Sequence, residues 1–145
     1  MNYWIFKCNP DKYRIYDRLV NPERTTSWRA TRYRDAISPG DTAFIWPTGK
    51  HRGICAIVRI DSWPEDIAEL EHELPYCVGL DTGIRCRVLG TIMNTFECIS
   101  YKFLLSVPAL QNMSVFHGYQ QATNFRLSHS EGMKIMDIIN ERDVL

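Results

Sequence analysis

The sequence predicts an α+β fold: a small sheet or barrel of short strands, flanked by short helices and finished by a C-terminal helix. Three observations carry this. Pro39 to Ile60 (PGDTAFIWPTGKHRGICAIVRI) holds two apolar runs, Thr42–Trp46 and Gly53–Ile60, on either side of a Pro47-Thr48-Gly49-Lys50 turn. A third apolar run, Tyr3–Lys7, opens the chain. Near the other end, Ser128-His129-Ser130-Glu131 matches the S-x-x-E capping box and leads into Met133, Ile135, Met136, Ile138 and Ile139, the inner side of a helix ending near Arg142.

Both arms of the central hairpin are apolar at nearly every position, which suits strands buried on both faces. Its tip is different. Trp46, Pro47, Thr48, Gly49, Lys50, His51 and Arg52 combine an aromatic plane, a flexible backbone and three groups able to carry positive charge.

The remaining elements follow in order. Cys8-Asn9-Pro10 ends the first strand, and Asn9 or Asp11 can cap a short helix to about Leu19, with Tyr13, Tyr16 and Leu19 or Val20 on one face. Asn21-Pro22 closes it. The basic stretch 23–38 contains Trp28 among Arg24, Arg29, Arg32 and Arg34; this indole either lids the core or offers a stacking platform beside phosphate-binding arginines. A short helix is expected near Tyr33 to Ile37. Glu65 to Leu74 reads as a solvated surface helix or loop with Ile67, Leu70 and Leu74 at helical spacing. Gly83 to Met93 alternates Arg85 and Arg87 against Ile84, Cys86 and Val88, a strand with one wet and one dry face. Phe96 to Ile99 continues the sheet, and short helical pieces are expected over Ser100 to Leu105 and Pro108 to Met113.

Composition bounds the function. At 145 residues, with 45% hydrophobic and 23% charged side chains, the chain is expected to be one domain, residues 1–145, with a real core. It has no apolar run near the length of a membrane span and enters a strand directly at its N-terminus, so neither a membrane partner nor a signal peptide is expected. Five cysteines without a CxxC pair are expected to be reduced and structural, which points to the cytoplasm. The four histidines show no ligand spacing, so neither a metal nor a cofactor is expected.

Net charge is zero but sorted along the chain. Residues 1–60 carry eleven Lys or Arg against five Asp or Glu, and residues 61–80 carry six acids and no base. Either the first half makes a positive face that holds a phosphate backbone, or the acidic segment folds back over it. The loop from Phe116 to Ser128 is rich in aromatics and amides. Gln120, Gln121 and Asn124 there either read a base edge or satisfy backbone groups within a buried loop.

Taken together, YWIFKCNPDKY at the start, the W-x-x-x-R segment Trp28–Arg32, the PGD-x-x-F-I-W-P-T-G-K hairpin, G-I-x-A-I-V from Gly53 and the closing Q-A-T-N-F-R-L-S resemble an EVE domain. This is a branch of the PUA-like superfamily that also contains YTH and ASCH domains. The set runs in order over nearly the whole chain. The resemblance implies a PUA-like β-barrel or pseudo-barrel and a pocket that takes one modified base, flipped from a nucleic acid. By position it implies Trp28 and Trp46 as two walls of an aromatic cage, with Asn9 and Ser27 bonding the base edge. Thr48, Gly49, Gln120, Gln121 and Asn124 are further base-binding candidates. Arg29, Arg32, Lys50, His51 and Arg52 are the candidates for flanking phosphates.

The expected function is therefore a non-catalytic reader of modified DNA, 5-methyl- or hydroxymethylcytosine first. A fused or associated restriction nuclease would be its partner, the chain itself acting alone or as an excised domain. Two alternatives come with the resemblance: a YTH-like reader of modified RNA, and an ASCH-like small amidohydrolase, for which Lys7 and Glu131 are available. Trp4 and Trp63 are read as structural, with either able to supply a third wall instead.

Overall fold

The computed structural model describes residues 1–117 and 121–143. Seven strands make one mixed sheet: β1 Tyr3–Cys8, β2 Thr25–Arg29, β3 Thr42–Pro47, β4 Gly53–Ile60, β5 Glu65–Ile67, β6 Arg85–Ser100 and β7 Asn124–Leu127. The order across it is β2-β6-β4-β3-β1-β7, with β5 against the start of β6. β1 and β3 run parallel, and the other pairs are antiparallel. The helices are α1 Ile15–Val20, α2 Tyr101–Ser106, α3 Ser114–His117 and α4 His129–Asp143, with 3₁₀ turns at Glu71–Tyr76 and Pro108–Leu110.

The central strands β1, β3 and β4 are buried on both sides, as their unbroken apolar runs imply. Successive strand side chains alternate between faces. Tyr3, Ile5, Phe44 and Trp46 therefore face α2, α4 and the 108–113 segment, packing with Leu104, Leu110, Met113, Ile135 and Ile139. Trp4, Phe6, Ala43, Ile45, Ala56, Val58 and Val88 face the opposite way and pack with Ile15, Trp28 and Ile37. α4 starts on its capping box: Glu131 N donates to Ser128 Oγ at 3.1 Å and Ser128 N to Glu131 Oε1 at 2.8 Å. It can lie against β1 because residue 132 is glycine; a Cβ there would stand 2.1 Å from Cγ of Tyr3.

The main-chain ladder does not close the sheet into a barrel. Its two outer strands are joined instead through side chains, chiefly that of Asn124, with Thr31 Oγ1 and Thr123 Oγ1 2.9 Å apart beside it. Asn124, fully buried at the start of β7, donates from Nδ2 to Arg29 O at 2.9 Å. Its Oδ1 accepts from Thr31 N at 2.9 Å and Arg32 N at 3.3 Å. Both ends of the amide thus do what a ladder pair would do, and the sheet curls into a pseudo-barrel with a seam between β2 and β7.

Several local expectations are corrected. The first helix begins at Ile15, after an Asx turn in which Asn9 Oδ1 accepts from Asp11 N at 2.9 Å. It buries Ile15 and Arg18, while Tyr16 is exposed. Tyr33 to Ile37 is a turn with a positive φ at Tyr33, not a helix. The acidic stretch is not a solvated helix: it supplies β5 and a 3₁₀ turn, and its carboxylates enter the interior. Glu73 ion-pairs with Arg18, both side chains 1% exposed, and accepts from Tyr13 Oη at 2.7 Å. Arg87, expected on a wet face, is 2% exposed and pairs with Glu69 at 3.2 Å. The basic first half is thus partly neutralised from within. Burial, then the Glu73 carboxylate, pushes the Tyr13 phenol far above its usual range, so Tyr13 remains the donor in that bond.

Trp4 is a core residue whose Nε1 donates to Asp41 Oδ2 at 2.8 Å, while Trp63 is 62% exposed. The five cysteines are free thiols. Burial pushes Cys8 up to about 12 and moves Cys55 further still. Among the described residues no helix is long and apolar enough to cross a membrane, and no three His, Cys, Asp or Glu side chains gather as metal ligands.

Two outcomes are expected. Asn124→Ala should cost about 3 kcal/mol in a urea titration, because it strands three backbone groups at the seam. Cys8 and Cys55 should resist a thiol-specific reagent at pH 8, where raised pKa values keep both protonated, and react only on unfolding.

Candidate nucleic-acid interface

The seam holds a cavity of about 490 Å³, within the range of small-molecule sites. Each wall has a reason to be there. The end of β1 supplies Phe6 to Asn9, and β2 supplies Ser27, Trp28 and Arg29. The approach to β7 supplies Gln121 to Asn124, and the β3–β4 turn supplies Thr48. Lys12 and Tyr13, together with Glu69, Leu80, Asp81 and Arg87, complete it. Trp28 is the one tryptophan of this lining, packed edge-on to Tyr13 at 5.8 Å and 80°.

β2 is an edge strand at this point, and that matters chemically. Its even-numbered residues ladder to β6: Ile92 N donates to Arg24 O and Ala30 N to Cys86 O. The odd-numbered residues turn N–H and C=O to the open edge. There Thr25 O accepts from Arg18 Nη2 at 2.9 Å, and Arg29 O and Thr31 N meet Asn124. Ser27 stands between them on the same edge, so its backbone donor and acceptor face the seam.

Below Ser27 lies a buried polar group. Ser27 Oγ donates to Glu69 Oε1 in a short bond. Glu69 also accepts from Leu70 N at 2.9 Å and from Arg87 Nη1 at 3.2 Å. Arg87 is held in turn by Ile67 O, Asp81 O and Gly83 O. Arg29, half-buried beside it, has a buried Nε with no hydrogen-bond partner among the described residues. Burial first, then the Arg87 and Arg85 guanidinium groups, pulls Arg29 below the ordinary arginine value. Lys7 is lowered by burial and then by Arg52. Asp81 is held below the usual carboxylate range by the Gly83 N–H. Lys7, Lys12, Arg29 and Arg87 outnumber Glu69 and Asp81, so the cavity favours an anionic or electron-rich guest.

A second, wider groove of about 1040 Å³ lies on the other side of the β3–β4 turn. Gly49, Lys50, His51 and Arg52 line it with Tyr16 of α1, Phe96 of β6, and Tyr101 and Lys102 of α2. Arg52 lies over the Tyr101 ring at 4.1 Å. Gly49, at φ 92°, makes the turn that places Thr48 on the cavity and Lys50 to Arg52 on the groove.

The structure therefore sorts the candidate residues. Asn9, Ser27, Trp28, Arg29, Thr48, Gln121 and Asn124 meet at the cavity. Asn124 spends its amide on the seam, so its hydrogen bonds are structural. Gly49, Lys50, His51 and Arg52 line the groove instead. Arg32 is exposed, lies over its neighbour Tyr33 and lines neither cavity nor groove. Gln120 lies outside the described residues. The cage of two facing indoles is corrected. Trp46 is 3% exposed, on the helix-covered face of the sheet, edge-on to Phe116 at 6.1 Å. It follows Phe44 by two residues on β3, so strand alternation carries both rings away from Trp28. Neither Trp4 nor Trp63 lines the cavity. Nor does Glu131, whose Oε1 is engaged in the α4 cap, so Lys7 and Glu131 do not meet there. Sequence reasoning missed Lys12, Tyr13, Glu69, Leu80, Asp81 and Arg87; Glu69 and Arg87 stand where the sequence pattern predicts solvated positions.

The EVE domain family profile matches residues 2–138. The chain belongs to the EVE domain family. Solved structures agree on the fold of this EVE domain. A hypothetical protein from Leishmania major superposes with a TM-score of 0.72 at 19% identity, covering 99% of this chain and 97% of that one. The human THYN1 protein, solved in complex with 5-methylcytosine containing DNA, superposes at 0.66 and 18% identity over 95% of this chain and 97% of its own. A ZmASCH protein from Zymomonas mobilis superposes at 0.55 with 8% identity, over 95% and 99%. In sequence, no curated protein matches the EVE domain described here.

The placement of Trp46 is directly testable. Trp46→Ala should cost about 3–5 kcal/mol in a denaturant titration, as for other buried aromatics. Trp46→Phe, which keeps most of the packing, should leave oligonucleotide binding unchanged.

Proposed function

We propose that this EVE domain reads a modified base, taking one nucleotide extruded from DNA into the seam cavity while the backbone runs onto the basic groove. The observation that carries this is the seam itself. A cavity of about 490 Å³ places the Trp28 side chain beside the edge-strand backbone of Ser27, with Asn9 and Thr48 at its walls. An extruded base has broad apolar faces and one polar edge, and a cavity with aromatic, backbone and hydroxyl groups suits both. Membership of the EVE family supports a base reader, and the DNA in the THYN1 complex supports DNA over RNA and 5-methylcytosine as the first mark to try.

The energetics set what the cavity must do. Extrusion costs a few kcal/mol, which stacking at about 1–3 kcal/mol per base and edge hydrogen bonds must offset. Burying a methyl group adds only ~1 kcal/mol, roughly fivefold in affinity. Larger discrimination needs the wall to fit the mark. Lys50, Arg52 and Lys102 in the groove contact phosphates on this reading, and contribute affinity that does not depend on sequence.

Fluorescence titration with oligonucleotides identical but for one base, in DNA and RNA forms, tests the proposal. The wild type should favour the modified DNA by fivefold or more. Asn9→Ala, at an exposed position whose Asx-turn bond to Asp11 N is local, and Trp28→Phe should each reduce that preference, with circular dichroism checking the fold. Lys50→Glu with Arg52→Glu should weaken modified and plain oligonucleotides alike and flatten the salt dependence. Equal affinity of the wild type for modified and plain DNA would overturn the assignment.

A further inference from the structure

The hydrogen-bond direction at the floor of the seam cavity constrains which bases can enter. Resting on the reader function just proposed, we infer that Ser27 and Glu69 make the cavity selective for bases carrying an exocyclic amino group, the cytosine and adenine type, over bases carrying a carbonyl there.

The argument is about one proton. Glu69 is held as an acceptor at this site: it accepts from Leu70 N at 2.9 Å and from the Arg87 guanidinium at 3.2 Å, with both ionic side chains nearly buried, at 6% and 2% exposure. A carboxylate so held is an acceptor only. Cys77 Sγ is a weak further donor, 4.0 Å from Oε2, and the Ser27 hydroxyl on Oε1 must likewise donate. A serine has a single hydroxyl proton, so once it points at Glu69 the oxygen offers only lone pairs to anything else in the cavity. Ser27 Oγ is a fixed acceptor.

The backbone of Ser27 does not discriminate by itself. Its N–H and C=O, both on the open edge of β2, suit a donor–acceptor pair in either order, because a base can shift to match. The fixed hydroxyl oxygen removes that freedom. Beside it, the N4 amino group of cytosine or the N6 amino group of adenine gains a bond. The O4 of thymine or uracil, or the O6 of guanine, meets another acceptor, which leaves buried groups unpaired. The distinction has a point for a reader of methylated cytosine: thymine carries the same methyl on the same ring, and differs at that one exocyclic group. Trp28 and an apolar wall cannot tell the two apart; a fixed acceptor can. Glu69 acts through Ser27 and is a positioning residue.

The test uses four DNA oligonucleotides with cytosine, 5-methylcytosine, uracil or thymine at one position, placed opposite an abasic site so that none has a partner to break. Comparing methylated with unmethylated bases reads the reader function; comparing amino with carbonyl bases reads the present inference, and the two comparisons are independent. The wild type should bind the cytosine pair at least tenfold more tightly than the uracil pair. Ser27→Ala, a small change, should bring the two pairs within about threefold. Glu69→Gln, whose amide can donate to Ser27 and free its proton, should do the same, with circular dichroism confirming the fold; should that variant fail to fold, Ser27→Ala decides. Equal binding of 5-methylcytosine and thymine by the wild type, or a preference untouched by Ser27→Ala, would overturn the inference, even where a methyl preference persists.

Discussion

The buried Asn124 carboxamide is the main fastening of this domain's seam. Asn124 joins β7 to the end of β2 and the residues just after it, giving a donor to Arg29 O and an acceptor to Thr31 N. A main-chain ladder there would have sealed the sheet and filled the seam with paired backbone. A side chain spans a wider gap, so the same bond pattern closes the fold and leaves room beside it. The cavity exists because the barrel is fastened by an amide rather than by a strand pair. The edge residue Ser27 is exposed to that cavity for the same reason, since no neighbouring strand uses its N–H and C=O.

The acidic segment does a second structural job. Charges this well buried cost several kcal/mol each in desolvation unless they are paired and fully bonded. Glu73 meets Arg18 and Tyr13, and Glu69 meets Arg87, Ser27 and Leu70 N. Replacing such pairs with apolar side chains is often neutral or stabilising, so stability alone is a weak reason for their presence. At Glu69 the site offers another: an ionic pair fixes the direction of a hydrogen bond in a way no apolar residue can. The same segment also lowers the net positive charge near α1 and β2, while Lys50, His51, Arg52 and Lys102 line the groove.

How much of this could be read from residues alone varies by physical type. The doubly buried hairpin, the C-terminal helix and its capping box were legible, because apolar runs and cap chemistry are local. The two-indole cage was not. Trp46 lies in a strand apolar on both faces, where without alternation nothing in the sequence tells which face a ring takes, and Trp28 lies in the polar run TTSWR, whose pattern does not fix its face either. The buried ion pairs were illegible for a related reason. Arg87 alternates with Cys86 and Val88 just as a solvated arginine would, and its burial depends on β5 and the 65–83 connection arriving from elsewhere in the chain. Asn124 was singled out for the right property, an amide that both donates and accepts, but two readings were open. The structure gives its hydrogen bonds to Arg29, Thr31 and Arg32, which is the backbone-satisfying one.

The β3–β4 turn then divides two kinds of energy that nucleic-acid binding needs to keep apart. On the groove side, Lys50, His51 and Arg52 are exposed, and attraction between such groups and phosphates is long-ranged, indifferent to sequence and screened by salt. On the cavity side, Ser27 and Glu69 are nearly dry, where a misdirected hydrogen bond is penalised whatever the ionic strength. A domain that drew both affinity and selectivity from exposed arginines would lose them together as salt rose. Here the change of environment takes place within the few residues from Thr48 to Lys50, made possible by the left-handed conformation of Gly49. On the proposed function, screening would then weaken the grip on the strand while leaving the reading of the base intact.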